Sequence, residues 1–214
     1  TTSGNIVITP VPSIIYQHNF GTSAITRHPY SVSPNATPTP GILNSHLSSS
    51  SWANSGSTSW NSFSGSSGQA LALSPFSSSN VWTLTFDVAN GYKVDISSFS
   101  FWRQSSATTN NWSMTINGIA VGSGTIPSTG STGTLNVSNA VTNLTGTVTV
   151  ALTYGGALSG SMRIDDFTLN GFVALACTPP ADPVATISGS TTACTSTVLT
   201  YTGADAANAY WQSS

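Results

Sequence analysis

Val81-Trp82-Thr83-Leu84-Thr85-Phe86-Asp87-Val88 alternates without a slip: Trp82, Leu84, Phe86 and Val88 share one side, and Thr83, Thr85 and Asp87 the other. Two residues is the side-chain repeat of a strand, so the stretch predicts a strand with one buried and one wet face. Asn90-Gly91 follows, and then Tyr92, Val94 and Ile96 alternate with Lys93 and Asp95, the pattern of a hairpin closed by a type I′ turn. The device recurs where Trp112, Met114 and Ile116 run into Asn117-Gly118 and return through Ile119-Ala120-Val121. Further on, Val148, Val150, Leu152 and Tyr154 oppose Thr147, Thr149 and Thr153, and the β-branched content favours a pleated strand. Upstream, Ile14, Tyr16, His18 and Phe20 share one parity and predict the first strand. The stretch 31–80 is too long for one loop of a compact domain, and Gln69 to Leu73 is its best strand. In the final strand, Arg163 to Val173, Ile164 and Phe167 cannot both face one core in an unbroken ladder. Either a bulge sits near the Asp pair or both faces are buried. No stretch carries a helical stripe, so the fold class is all-β.

Composition narrows the function classes. Four Lys plus Arg, six Asp and no Glu make charge 5% of the 214 residues, against about 25% in an ordinary domain. About a third of the chain is Ser or Thr, so solubility rests on hydroxyls and amides. With so few cations there is little to neutralise a phosphate backbone or an anionic bilayer, and no apolar run approaches 18 residues. No nucleic acid partner and no direct membrane insertion are therefore expected. Hydrophobic residues at 38%, with six Trp, six Tyr and eight Phe, supply a core and argue against disorder.

The chain divides into an N-terminal extension (1–13), a β-sandwich (14–173), a Pro-rich connector (174–183) and a partial second domain (184–214). The connector contains Cys177-Thr178-Pro179-Pro180-Ala181-Asp182-Pro183, which prolines hold extended. About 100 residues close an immunoglobulin-like sandwich, so the last segment is expected to be the start of one. Cys177 and Cys194 fit one disulfide or two free thiols; the expectation is that they are oxidised.

Tyr16-Gln17-His18-Asn19-Phe20-Gly21, Gly68-Gln69-Ala70-Leu71, Gly91 to Ile96, Phe99 to Ser105 and Arg163 to Gly171 together resemble the jelly-roll modules at the front of large Bacteroidetes secreted and surface proteins. The tail, with Ile187-Ser188-Gly189-Ser190-Thr191-Thr192-Ala193-Cys194, is similar to the tandem immunoglobulin-like or PKD-like repeats of the same class, gliding adhesins included. The resemblance implies a jelly roll followed by the start of an immunoglobulin-like sandwich. It also implies an extracellular or cell-surface location and export by type IX secretion. The implied function is a non-catalytic module for adhesion or surface assembly, with a glycan or other surface ligand, or neighbouring protein subunits, as its partner. The alternatives are a carbohydrate-binding module attached to a secreted polysaccharide hydrolase, or a filament subunit that self-assembles through an exposed strand edge.

Two sets of side chains stand out as sites. Trp52 and Trp60 lie in the Ser- and Gly-rich stretch, where their rings could stack on a sugar while Asn54 or Asn61, with Asn44, reads its hydroxyls; the other reading is that both rings plug the sandwich end. Asp165-Asp166 resembles the Asp-Asp pair of carbohydrate-binding jelly rolls, which implies a structural calcium ion. Those modules add an acidic residue from the first strand, whereas here Phe20 is followed by Gly21. The other reading of the pair is an ion pair with Arg163 or Arg103. His18, His28 and His46 show no metal-binding spacing, and no acid precedes Asp87 to orient a Ser–His couple. Catalysis is not expected, because adjacent Asp165 and Asp166 point to opposite faces of a strand instead of flanking a bond. A phosphate loop lacks its Lys, and no regular Thr repeat supports ice binding.

Overall fold

The computed structural model describes residues 11–31, 41–76, 80–106, 111–126, 129–155, 160–176, 187–189 and 199–201. Cys177, Cys194 and most of the connector and tail lie outside these residues. Strands follow in chain order as β1 (Ser13–His18), β2 (Ile42–Leu43), β3 (Leu47–Asn54), β4 (Phe63–Ser64), β5 (Gln69–Leu73), β6 (Trp82–Val88), β7 (Tyr92–Ser105) and β8 (Asn111–Ile116). They continue as β9 (Ile119–Thr125), β10 (Gly130–Ser131), β11 (Leu135–Leu144), β12 (Thr147–Gly155), β13 (Met162–Leu175), β14 (Ile187–Gly189) and β15 (Leu199–Tyr201). One sheet runs β10-β7-β13-β1-β2, with β11 on β7, β5 on β13 and β4 on β5; the other runs β3-β6-β12-β8-β9. Eight of the twelve connections between β1 and β13 carry the chain from one sheet to the other, and the two sheets enclose one core as in a jelly roll. A separate antiparallel pair joins β14 to β15.

The alternation read from the sequence is the burial pattern of the second sheet. Trp82, Leu84 and Phe86 on β6 and Val148, Val150 and Leu152 on β12 are fully buried. Their outward neighbours form rows across the strands: Ser51 beside Thr85 beside Thr149, and Ala53 beside Thr83 beside Ala151 beside Thr115. The outer face is thus an array of hydroxyls and methyls, with Asp87 at one corner accepting from Thr147 Oγ1 at 2.6 Å.

The two Asn-Gly turns fold differently. Asn117 and Gly118 have φ of 47° and 81°, so both centres are left-handed and a type I′ turn joins β8 to β9, with Ile116 opposite Ile119. At Asn90-Gly91 only Gly91 is left-handed (φ 81°), Tyr92 N–H donates to Ala89 O at 3.0 Å, and β6 and β7 enter different sheets. The predicted hairpin is corrected, and parity explains why. A two-residue loop there would set Val88 opposite Lys93 and Phe86 opposite Asp95, placing charges on the core face. Crossing to the other sheet lets Val88 and Val94 both point inward.

Bulges resolve the two slips of alternation in the first sheet. Between Asp165 and Thr168 the ladder to β7 shifts, with Asp166 at φ 49°, so Ile164 and Phe167 are both fully buried. Between Ile14 and Tyr16 another shift turns Ile15 inward and leaves Ile14 39% exposed, correcting its placement with Tyr16 and His18.

A short polar chain crosses the core. Trp52 Nε1–H on β3 donates to Tyr16 Oη on β1 at 3.1 Å, and Tyr16 Oη bonds Ser50 Oγ at 3.0 Å. Burial drives the ionisation of Tyr16 far above its usual range, so the phenol stays a donor. Tyr16→Phe should lower stability by about 1–3 kcal/mol in urea unfolding, because it strands the indole N–H and the Ser50 hydroxyl. Asn117→Ala should cost about 1–2 kcal/mol by the same measurement, since Ala resists a left-handed backbone. Asn90→Ala should stay within about 0.5 kcal/mol.

Candidate functional site

Trp52 and Trp60 are 1% and 2% exposed, so neither ring offers a face to a ligand. Trp52 packs edge-on against Phe167 at 5.0 Å and Phe20 at 5.7 Å, and Trp60 edge-on against Trp82 at 5.2 Å. The sugar-platform expectation is corrected in favour of core packing; rings this large are drawn inward wherever strands leave space between two sheets. Their companions are occupied too. Asn54 Nδ2–H donates to Thr58 O at 2.8 Å while its Oδ1 accepts from Thr58 N and Oγ1, closing the turn after β3. Asn61 Oδ1 accepts from Ser74 N at 2.6 Å, and Asn44 Oδ1 from His46 N at 3.0 Å.

Asp165 is fully buried and latches a loop. Its Oδ2 accepts from the backbone N–H of Ser66 at 2.8 Å and Ser67 at 3.3 Å, and its Oδ1 from Asp166 N at 2.7 Å. The turn closes on itself through Gly65 N to Gly68 O at 3.0 Å. Gly65 is required by the carboxylate, because a Cβ there would fall on Asp165 Oδ2. Arg163, two residues earlier, holds the same hairpin by donating to Ser64 O at 3.2 Å and lying over the Phe63 ring at 4.3 Å. Arg103 donates to the carbonyls of Thr125 and Gly130. Both guanidiniums therefore serve backbone carbonyls instead of the Asp pair. A carboxylate facing three N–H donors is turned away from cation ligation, and among the described residues no group of three or more His, Cys, Asp or Glu gathers around it. Asp165, whose oxygens face these three N–H groups, does not fit the calcium ion that the resemblance implies.

The concavity with exposed chemistry lies where the sequence gave no motif, in the loop after β1. Residues 24–31 line a cleft of about 500 Å³, a size suited to a small ligand or a few sugar units. Tyr30 is hung on β3 by a two-way backbone bridge, its N–H donating to Trp52 O at 2.8 Å and its carbonyl accepting from Trp52 N at 2.7 Å. Its ring packs on His18 at 5.4 Å and Phe20 at 6.0 Å, and burial pushes its hydroxyl up to about 12. His28 Nε2 accepts from Asn54 N at 2.9 Å, which assigns its ring hydrogen to Nδ1. Arg27, Thr26 and Ser31 are exposed around them. The arrangement combines an aromatic body, hydroxyl and imidazole donors and one guanidinium, with no acid among residues 24–31. The sequence signal was faint: one of four basic residues, adjoining His, Pro and Tyr. A second groove of about 590 Å³ runs beside β9 and β11 over Phe99, Met114 and Val121, with no charged side chain among its described lining residues.

No protein-family profile matches the chain, and no curated protein matches it in sequence. Among solved structures it is similar to dimeric latent PorU from Porphyromonas gingivalis, at 10% identity and a TM-score of 0.31. The likeness covers 79% of this chain and 13% of that one.

Burial, the largest cause, raises the Asp165 carboxyl from 3.8 to about 7 against the pull of its N–H donors. Between those values the folded protein keeps a proton that the unfolded chain has released. Stability therefore falls as pH rises from about 4 through about 7 and is flat above. Urea midpoints at pH 5 and pH 8 should differ in that sense, and Asp165→Asn should reduce the difference.

Proposed function

We propose that the chain is a non-catalytic glycan-binding module of a secreted or surface-exposed bacterial protein, acting in adhesion or surface assembly, and that the cleft at residues 24–31 is its ligand site. The observation that carries this reading is the cleft itself: Tyr30, His28 and Arg27 set among hydroxyls, on a loop fixed to the core strand β3. An aromatic ring beside hydroxyl and amide donors matches the two-sided chemistry of a sugar, apolar on its face and polar at its rim. The placement of the acids supports binding over turnover. Asp165 latches the 65–68 loop, Asp95 accepts from Asn143 N, and Asp87 accepts from Thr147, which with Ser49 holds its carboxyl below the usual range. The pairing of β14 with β15 supports a second β unit after the connector. No helix of the described residues is long and apolar enough to cross a membrane.

Presenting the full chain to an array of neutral and acidic polysaccharides tests the reading. Saturable binding should be lost at least tenfold in Tyr30→Ala, with thermal unfolding run alongside to establish that the variant folds. Arg27→Ala, at an exposed position, should weaken binding with no change in unfolding. A folded wild-type chain that binds no glycan overturns the proposal, as does binding that both variants retain.

A further inference from the structure

The chain holds four basic side chains, Arg27, Lys93, Arg103 and Arg163. Three are engaged by the protein. Lys93 Nζ donates to Asn143 Oδ1 at 2.7 Å. Arg103 donates from Nε and Nη2 to Thr125 O at 3.2 and 3.1 Å, and from Nη1 to Gly130 O at 3.0 Å, tying β7 to the exit of β9 and to β10. Arg163 clamps β4 through Ser64 O and the Phe63 ring. Arg27 differs from all of them. It is exposed, and among the described residues it is the one basic side chain with no hydrogen bond, ion pair or ring contact. It also lies in the wall of the cleft, with no carboxylate among residues 24–31 to neutralise it.

A protein that uses cations this sparingly, and commits the others to its own carbonyls and amides, leaves Arg27, with no partner among the described residues, in the wall of the cleft that Tyr30 and His28 also line. Guanidinium presents a planar fork of donors that matches a carboxylate with two parallel hydrogen bonds. We infer that the cleft selects an acidic sugar, with the uronate carboxylate on Arg27 and the sugar ring against Tyr30. The inference rests on the glycan-binding reading of the preceding subsection and adds the charge of the ligand. The donors that line the cleft agree with it: the Tyr30 hydroxyl keeps its proton at neutral pH, and the Nδ1–H of His28 is a donor, so both offer hydrogens to an oxygen-rich anion.

Titration calorimetry of the full chain with polygalacturonate, its methyl ester, a sulfated galactan and a neutral galactan tests this. Polygalacturonate should bind most tightly, and esterification, which removes the charge and keeps the ring, should weaken binding at least tenfold. Arg27→Gln should bring polygalacturonate down to the level of the ester without shifting the unfolding midpoint, and Arg27→Lys should recover only part of the loss. Raising the salt should weaken the acid and leave the ester unaffected. If acid and ester bind alike and Tyr30→Ala loses both, the acidic assignment falls while the glycan site stands. Preference for the sulfated polymer overturns the carboxylate. If none of the polymers binds, this inference falls, and the glycan reading falls with it only if the array is blank as well.

Discussion

The hydrogen-bonded crossing from Trp52 through Tyr16 to Ser50 is the constraint on which the rest of the sandwich depends. Tyr16 belongs to β1 of one sheet, and Trp52 and Ser50 to β3 of the other. A polar network in the middle of an apolar core stabilises most when every member is satisfied, so this one favours few relative positions of the two sheets. The aromatic neighbours are consistent with that placement: Phe86 stacks on Tyr16 at 6.0 Å, and Phe167 meets both Tyr16 and Trp52 edge-on. Trp52 also holds Tyr30 through its backbone. The residue at the centre of the core is thereby the residue from which the cleft loop is suspended, and the position of the cleft follows from the packing of the interior.

Strands whose apolar residues keep period two were legible in the sequence. β6, β8 and β12 fall where the alternation places them, because each has one face on the core, and β5 falls at Gln69 to Leu73 as expected with both of its faces buried. What escaped was whatever breaks or hides the period. β3 reads Leu-Ser-Ser-Ser-Ser-Trp-Ala-Asn, and its inward Ser50 is polar only because the Tyr16 hydroxyl receives it. β11 has only Val141 fully buried along its ten residues, and its ladder to β7 shifts twice, so no alternation survives to be read. The Asn-Gly pairs carry a further lesson: Asn90-Gly91 and Asn117-Gly118 each turn the chain while Asn170-Gly171 runs through β13, and at a turn the parity of the apolar residues on either side decides whether it stays within a sheet. That parity was present in the sequence at Val88 and Val94.

The sites were less legible than the strands, for a different reason. An aromatic residue among serines reads the same whether it faces water or the core, and Trp52 and Trp60 face the core. A pair of acids reads the same whether it binds a cation or backbone N–H groups, and Asp165 binds N–H groups. In both cases the distinguishing information is a long-range contact: Trp52 with Tyr16, 36 residues apart, and Ser66 with Asp165, 99 residues apart. The cleft was hidden more deeply, since Arg27, His28 and Tyr30 acquire meaning only when the fates of Lys93, Arg103 and Arg163 are known.

The rows of threonine, serine and alanine on the outside of the second sheet have a consequence for how the protein lives in water. Hydroxyls and small methyls hydrate without fixed charge, so neighbouring copies meet little mutual repulsion across this face. An electrolyte finds little on that face to screen, and the surface keeps its character across salinities that would change the behaviour of a Lys- and Glu-rich protein.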